Sequence, residues 1–347
     1  MELDVERRDV VVPVRVDPLG IDGPTPGQAR GPRWRRTPGP GLFVPSSVPV
    51  DSGFQRIVEA VAGAPEGSGA TGWAALHWQR ARWFTGRTAH GDPLPVPLAL
   101  GDTAHLAPRA GVQLHRDWLF DGDIIHVDGL PITRAERSIC TAALRARSLE
   151  DTVRIICMAM ADDLASLSEL RSYAARIKGR PHTRRLNDAI ELSDENIWSP
   201  QEVTLMMRWR QQRPGCVPLC NPPIFDRRGT HLLTPDLLDA RAGVIGQYDG
   251  LLHECTRVRR RDLEVEEVCR ELGLEVVTML SSDLRDLRSF DRRLAAAYER
   301  AAPRCRDHSE RAWTLDQPWW WIDTSTVARR RALDETDRRI WLRRQVA

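Results

Sequence analysis

The sequence predicts an α/β protein of the mixed α+β type, with about two or three domains. At 347 residues the chain is longer than one hydrophobic core usually organises. Its middle passes from short strand-like runs to amphipathic helices, and its last third interleaves the two patterns. Its beginning is so rich in proline and glycine that long helices are excluded there.

Bulk composition is typical of a globular protein, with 41% hydrophobic and 28% charged residues. No apolar run approaches the ~18 residues that a membrane-spanning helix needs. The opening residues lack the apolar segment of a signal peptide, so we expect a cytoplasmic protein with no membrane partner. The seven cysteines are scattered, and no second pair at zinc-ligand spacing accompanies Cys216 and Cys220. This pattern favours reduced thiols.

The net charge of +2 excludes a polycation. Almost all the basic residues are arginines, and Lys178 is the only lysine. Arginines cluster at residues 33–36, 257–261 and 329–331. Each cluster either contacts phosphate or forms a solvated surface, and the sequence leaves both alternatives open.

The proline-rich beginning leaves room for one short helix, around Gln28–Arg30, followed by a strand at GLFVP. Residues 53–63 carry apolar side chains at helical spacing and end at Gly63. Residues 71–80 predict a second short helix, which we expect Thr71 to cap.

From Leu94 onward, the runs PVPLAL, GVQLHRDWL and DIIHVDGLPIT predict short strands. Four helices are predicted after Pro131, with Ser148 and Ser166 as N-caps. Their expected ranges are residues 134–147, 149–162, 166–177 and 182–192.

The last third predicts the order α-β-β-β-α-β-α. The first helix covers residues 200–212, and strands follow at VPLCNPPIF, HLLTPDLLD and VIGQYDG. A helix at 261–272, a strand at LEVVTML and a helix from Ser281 to about Ala302 complete the order, and the tail reads as a loop and a short helix. The predicted segments are 1–87, 88–197, 198–303 and 304–347.

A candidate site lies in the stretch TPDLLDARAGVIGQYDG, which predicts a β-hairpin. If the turn is centred between Arg241 and Ala242, Asp236 lies opposite Gln247, at a Cβ separation of about 5 Å. Gln247 and Asp249 share a face because side chains on a strand alternate. Glu202, on the preceding helix, is expected to approach the same patch.

Oxygen ligands grouped in this way suit Mg²⁺, which can activate water and stabilise charge on a phosphate. A metal site would use Asp236 and Asp249. The alternative is that both are strand-end acids that face solvent.

The same segment resembles the PD-(D/E)xK nuclease superfamily, in the branch of the very-short-patch repair endonucleases. Pro235-Asp236 looks like the "PD" element, and residues 247–250 look like the E-x-D-G strand. His253 matches a histidine that follows this strand, and residues 199–202 resemble the S-x-x-E that opens the domain. The resemblance implies a restriction-endonuclease-like core with Asp236, Gln247, Asp249, Glu202 and His253 at catalytic positions.

The resemblance extends to the rest of the chain. RWRRTPGPGLFVP looks like the wing of an AbiEi-type winged helix, and DGLPITRAERSICTAAL is similar to the central element of such proteins. Together they resemble actinobacterial AbiEi-like proteins, which are linked to transcriptional regulation of type IV toxin–antitoxin systems. Nucleic-acid contacts are then expected from Arg33, Arg35 and Arg36 of the wing and from the arginines that follow the site, Arg259, Arg260 and Arg261.

Two departures from the family pattern shape the functional prediction. The expected acid at position 247 is Gln247, and a neutral amide is a poorer Mg²⁺ ligand than a carboxylate. The region before Arg33 is too broken by proline for a full recognition helix. We therefore expect a degenerate winged helix and a nuclease-type domain that has lost cleavage.

Three functions remain open. The first is a DNA-associated, AbiEi-like transcriptional regulator or antitoxin that needs no cofactor, with DNA and a cognate toxin or its operator as partners and no small-molecule substrate. The second is an active Mg²⁺-dependent endonuclease or nickase. The third is a protein-interaction scaffold. Fold resemblance alone does not decide between them.

Overall fold

The computed structural model describes residues 3–101, 104–116, 119–249, 267–304 and 311–342. The chain divides into two compact units, Met1–Ile190 and Glu191–Ala347. Both units contain helices and sheets, which confirms the mixed α+β class. Among the described residues, every helix is too short or too polar to span a bilayer.

The first unit begins with a small antiparallel sheet of order β1-β3-β2. Its strands are Val14–Arg15 (β1), Trp34–Arg36 (β2) and Leu42–Pro45 (β3). A single turn of 3-10 helix at Gln28–Arg30 precedes β2. This turn and β3 confirm the predicted short helix and the predicted GLFVP strand. The prolines around them prevent longer elements.

Two short helices follow, Gly53–Ala62 (α1) and Gly72–Trp78 (α2). α1 begins after Ser52, whose side chain accepts a hydrogen bond from the Gln55 amide, and it ends at Gly63 as predicted. Thr71 precedes α2, but its side chain does not cap the helix. The Thr71 hydroxyl instead accepts a hydrogen bond at 2.8 Å from Thr133, so the capping prediction is wrong.

The core of the first unit is formed around a five-stranded sheet of order β6-β5-β4-β8-β7. Its strands are Gly69–Ala70 (β4), Val96–Ala99 (β5), Val112–His115 (β6), Ile124–Val127 (β7) and Leu130–Thr133 (β8). β4 lies before the predicted boundary at 87/88 and β5 lies after it, and the two strands are paired. That boundary therefore runs through one sheet.

Four helices complete the first unit. They are Ala135–Leu144 (α3), Leu149–Ala161 (α4), Leu167–Arg176 (α5) and Thr183–Leu192 (α6), whose last two residues lie beyond the unit boundary. All four lie within the predicted ranges. Ser148 and Ser166 cap α4 and α5 as predicted, and Ser166 forms a reciprocal capping box with Glu169.

The second unit begins with helix α7, Pro200–Gln212, which matches its prediction. The main sheet has the order β14-β13-β12-β9. Its strands are Leu219–Cys220 (β9), Leu237–Asp239 (β12), Val244–Asp249 (β13) and Glu275–Leu280 (β14). β12 is antiparallel to both β9 and β13, whereas β13 and β14 are parallel. The described residues 267–271 are helical (α8) and lead into β14.

Two predicted strands are each divided in the structure. The runs VPLCNPPIF and HLLTPDLLD each contribute one strand to the main sheet and one to a second sheet. The strands of this second sheet are Ile224–Asp226 (β10), His231–Leu233 (β11) and Trp313–Thr314 (β15), in the order β11-β10-β15. The predicted count of three strands before α8 is therefore wrong. Pro222, Pro223 and Pro235 interrupt the runs, because proline cannot donate to a continuous ladder.

The helix predicted from Ser281 is also divided. A 3-10 segment, Ser281–Arg285, precedes helix Arg288–Ala301 (α9), and Asp286 between them is extended. The buried Asp283 carboxylate accepts a hydrogen bond from the Leu280 amide at 2.7 Å and pairs with Arg293 of α9. Asp283 thus caps the beginning of the 3-10 segment and attaches this segment to α9.

The tail continues from β15 into helices Val327–Arg331 (α10) and Glu335–Trp341 (α11). Trp321 stacks on His231 with ring centroids 5.0 Å apart and meets Phe225 edge-on at 5.0 Å. Trp319, in contrast, is 96% exposed. Of the three consecutive tryptophans at 319–321, Trp321 therefore attaches the tail to the second sheet and Trp319 does not.

Candidate functional site

The β12–β13 hairpin determines where Asp236 lies. Leu237 pairs with Gly246 and Leu238 with Ile245, so the register continues to Asp236 opposite Gln247, as predicted. Asp239 accepts hydrogen bonds from the amides of Arg241 and Ala242, which closes the turn. The Asp236 carboxylate also accepts a hydrogen bond from the Tyr248 amide at 2.7 Å. Asp236 is thereby bound to the strand that carries Gln247.

Gln247 and Asp249 lie on the same face of β13, two residues apart. Gln247 is partly buried, whereas Asp249 is exposed at the end of the strand. In the parallel ladder they pair with Thr278 and Leu280 of β14. Neither partner offers a charged group. Asp249 is therefore the acid that the β13–β14 pair brings to this face.

Glu202 is held at the beginning of α7. The Ser199 side chain accepts a hydrogen bond from the Glu202 amide at 3.2 Å, and Pro200 occupies the first turn. The Glu202 carboxylate turns back to accept hydrogen bonds from the Trp198 amide at 3.0 Å and from Asn221 Nδ2 at 2.7 Å. Its exposure is only 7%, which is unusual for a glutamate.

The packing of α7 on the sheet depends on the absence of a side chain at Gly246. A Cβ there would lie 2.6 Å from Cζ3 of the fully buried Trp209. The Trp209 indole also donates a hydrogen bond to the Tyr298 hydroxyl at 3.0 Å. This close approach of α7 to β13 positions Glu202 beside the hairpin.

Burial and mutual repulsion perturb the two carboxylates. Burial, followed by the negative charge of Glu202, raises the pKa of Asp236 to about 7, against the opposing hydrogen bond from Tyr248. Burial also raises the pKa of Glu202, despite its three hydrogen bonds from Trp198, Asn221 and Ser199. The structure therefore brings Glu202 and Asp236 together as predicted. Near neutral pH the pair tends to hold a proton.

Asn221 links the two acids and was not predicted from the sequence. It adopts the left-handed conformation, with φ of 46°, which asparagine tolerates better than most residues. Its amide donates a hydrogen bond to the Asp236 carbonyl at 2.9 Å, and its Nδ2 donates to Glu202 and to the Asn196 carbonyl, both at 2.7 Å. The available signal was the Asn-Pro step directly after a short strand.

The side chain of Asn196 supports this arrangement from behind. Its Nδ2 donates to the carbonyls of Cys220 and Asn221 at 2.7 and 3.1 Å, and its Oδ1 accepts from the Trp198 indole at 3.0 Å. Asn196 is 7% exposed, so these are buried, satisfied hydrogen bonds. They hold Trp198 and Asn221, and through them Glu202.

The donor set does not fit a tightly held Mg²⁺. Among the described residues, no three His, Cys, Asp or Glu side chains lie close enough together to hold one metal ion. Asp249 therefore does not complete a set with Glu202 and Asp236. The position opposite Asp236 is the neutral Gln247, and Mg²⁺ prefers carboxylate oxygens and water. The predicted His253, Arg259, Arg260 and Arg261 lie outside the described residues.

The three predicted wing arginines have different surroundings. Arg33 and Arg36 are exposed, at the start and at the end of β2. Arg35 lies on the face of β2 opposite to Arg36 and forms a two-pronged ion pair with Glu59 of α1, at 2.6 and 2.9 Å. Glu59 also accepts a hydrogen bond from Gln55 at 2.9 Å. The Arg35 guanidinium is thus engaged within the protein.

Fold and site together define a mixed α+β protein with two neighbouring carboxylates at a sheet hairpin, Glu202 buried and Asp236 half-buried. Searches against protein-family models, characterised proteins and solved structures found no match to this chain.

Proposed function

We propose that the protein is a DNA-associated protein of the AbiEi-like class, with a nuclease-type second unit that binds DNA and does not cut it. The element order of that unit supports the fold assignment. The unit follows the α-β-β-β-α-β order expected for a restriction-endonuclease-like core. Its elements in that order are α7, the antiparallel strands β9, β12 and β13, then α8 and the parallel strand β14. β10 and β11 are an excursion from this order.

The pairing of Asp236 with Gln247 carries the functional part of the proposal. Asp236 stands at the position of the "PD" aspartate, immediately before β12, and Gln247 stands where the family resemblance expects an acid. With an amide at this position the site has one charge fewer to hold a divalent cation. In this proposal the nuclease-type fold still binds the DNA phosphates, and cleavage of the DNA is lost.

The small sheet of the first unit supports a degenerate winged helix. β2 and β3 form an antiparallel hairpin, and exposed Arg33 and Arg36 flank Trp34 and Arg35. Only one turn of 3-10 helix precedes them, so base reading by a long recognition helix is not part of the proposal. The proposal instead includes contacts from the wing to phosphate or the minor groove. Such contacts fit a regulator or antitoxin that binds its operator or a cognate toxin.

The test is a plasmid-nicking assay with Mg²⁺ on the wild type, Gln247→Glu and Asp236→Ala. The proposal expects no cleavage by the wild type and none by Asp236→Ala. Cleavage gained in Gln247→Glu and lost again in Gln247→Glu/Asp236→Ala would identify the amide as the cause. Wild-type nicking that Asp236→Ala abolishes would overturn the proposal.

An active Mg²⁺-dependent endonuclease or nickase is the second candidate, and the Glu202–Asp236 pair favours it. Two neighbouring acids that retain a proton near neutral pH can exchange it for a cation. This candidate requires Asp249 to move toward the pair, because Asp249 does not complete a ligand set with Glu202 and Asp236 among the described residues. A protein-interaction scaffold is the third candidate, and it predicts no binding to duplex DNA even at low salt.

A further inference from the structure

A basic recess lies in the first unit, away from the wing. Its volume is about 230 Å³, and it opens between the end of α3, the end of α5 and the residues before α6. Four basic side chains line it: Arg137, Arg145, Arg180 and His182. The described lining residues include no carboxylate. Three of the four are arginines, and Arg137 among them pairs with Asp123, which does not line the recess.

Arg137 forms the floor of the recess, with 3% exposure. Its Nη1 donates a hydrogen bond to Thr141 Oγ1 at 2.7 Å, and its Nε lies 3.8 Å from Asp123 Oδ2. Asp123 also accepts hydrogen bonds from the Tyr173 hydroxyl and the Phe120 amide, at 2.7 and 2.9 Å. These contacts orient a buried guanidinium whose carboxylate partner is outside the lining of the recess.

Arg145 and Arg180 form the more accessible walls. Arg145 follows α3 and donates from Nη1 to the Thr141 carbonyl at 3.3 Å. Thr141 therefore contacts both arginines, because its hydroxyl also accepts the hydrogen bond from Arg137. Arg180 is half-buried and Arg145 is exposed. Guanidinium groups on several sides suit an oxyanion, because each can donate two parallel hydrogen bonds to it.

The backbone contributes a favourable field at the same place. The His182 carbonyl accepts the first hydrogen bond of α6, from the Leu186 amide at 3.0 Å, so the helix begins beside the recess. The positive end of its dipole favours a nearby anion. His182 itself adopts φ of 66°, a left-handed conformation that is costly for a residue with a side chain.

The remaining walls are apolar and come from Leu144, Ile177 and Pro181. At about 230 Å³ the recess is smaller than the ~300–1,000 Å³ of pockets for drug-sized ligands. It has room for a phosphate group and a short organic stem. A phosphate within a DNA duplex carries a sugar on each side, and this bulk disfavours its entry.

We propose that this recess binds a small phosphate monoester, with its phosphate among Arg137, Arg145 and Arg180 and its stem against Leu144 and Ile177. Binding alone is proposed, with no chemical change in the ligand. The proposal is independent of DNA binding by the wing and of the carboxylate pair in the second unit.

The test measures the affinity of the full chain for inorganic phosphate and for glycerol 3-phosphate by titration calorimetry. Arg145→Gln and Arg180→Gln are expected to weaken binding about tenfold or more, since each removes a charge-assisted contact. Arg147→Gln, an exposed arginine two residues beyond Arg145, is the matched control and is expected to bind like the wild type. Thermal unfolding of each variant without ligand checks the fold.

Two results would overturn the proposal. One is wild-type protein that binds neither probe at concentrations on the order of 10 mM. The other is equal affinity in Arg145→Gln, Arg180→Gln and Arg147→Gln. A short duplex oligonucleotide is added as a competitor. Displacement of glycerol 3-phosphate that depends on Arg145 and Arg180 would assign the recess to the DNA backbone, against this proposal, whereas no displacement supports it.

Discussion

The carboxylate of Asp236, at the start of β12, lies within the electrostatic reach of Glu202, at the start of α7. Burial and this neighbouring charge raise the pKa of Asp236 to about 7. Asn221 connects the two, because it donates its side-chain amide to Glu202 and its backbone amide to the Asp236 carbonyl. Unlike strand-end acids that face solvent, these two residues are linked through one buried asparagine.

Stability is expected to fall as pH rises from about 4 to about 7. The pKa of Asp236 is raised from its ordinary value of 3.8 to about 7, so in this window the folded protein binds more protons than the unfolded chain. Asp236→Asn removes the contribution of Asp236 to that dependence, leaves that of Glu202, and stabilises the protein at pH 8 by on the order of 2 kcal/mol. Urea unfolding at a series of pH values measures both effects.

Glu299→Gln is the control for this series, since Glu299 is an exposed acid of α9. It should keep the wild-type pH profile. An Asp236→Asn variant with the same pH profile as Glu299→Gln would show that the carboxylate pair does not govern the titration.

Binding of the wing to duplex DNA is expected to depend steeply on salt. Arg33→Ala/Arg36→Ala removes two exposed cations, so the slope of log K against log salt should decrease by about 2. Arg8→Ala/Arg30→Ala removes two exposed arginines outside β2 and serves as the control. Gel-shift titrations at several salt concentrations measure the slopes. Identical slopes in the two double variants would exclude the wing as the contact.

Arg35 is expected to contribute to stability rather than to DNA affinity. Its ion pair with Glu59 is largely buried, with side-chain exposures of 21% and 6%. Arg35→Ala leaves the Glu59 carboxylate without this partner and should cost about 2–4 kcal/mol, whereas Arg36→Ala should change stability by less than about 0.5 kcal/mol. Denaturant unfolding of both variants tests the difference, and equal midpoints would contradict it.

Gly246→Ala is expected to destabilise the second unit by about 1–3 kcal/mol. The added methyl group would lie 2.6 Å from Cζ3 of the buried Trp209, so α7 or β13 would have to shift. Gly27→Ala is the control, because nothing lies within 4 Å of a Cβ at that position and its φ is −72°. Thermal unfolding should show a loss for Gly246→Ala only. A neutral Gly246→Ala would mean that the contact between α7 and β13 is adaptable.

Local patterns were sufficient for much of the fold. α7 covers the predicted residues 200–212, and Ser148 and Ser166 cap the helices that follow them. The pairing of Asp236 with Gln247 was also predictable, because a short hairpin fixes its register through the turn between them. In each case the interacting residues are near one another along the chain.

Local patterns failed where a distant contact decides the outcome. Asp283 caps the beginning of a 3-10 segment and pairs with Arg293 of α9, whereas the sequence predicted one continuous helix from Ser281. Thr71 stands at a cap position, yet its hydroxyl bonds to Thr133, 62 residues away. The strand runs at VPLCNPPIF and HLLTPDLLD were recognised, but their division between two sheets was not.

The sequence by itself determined the mixed α+β class, the positions of most helices and the face of β13 that carries Gln247 and Asp249. Only the tertiary structure decided which charges meet. It buries Glu202 beside Asp236, it adds Asn221 between them, and it turns Arg35 away from the wing surface toward Glu59. The physical reason is that periodicity and turn chemistry act over a few residues, whereas pKa shifts and ion pairs depend on burial and distance across the folded chain.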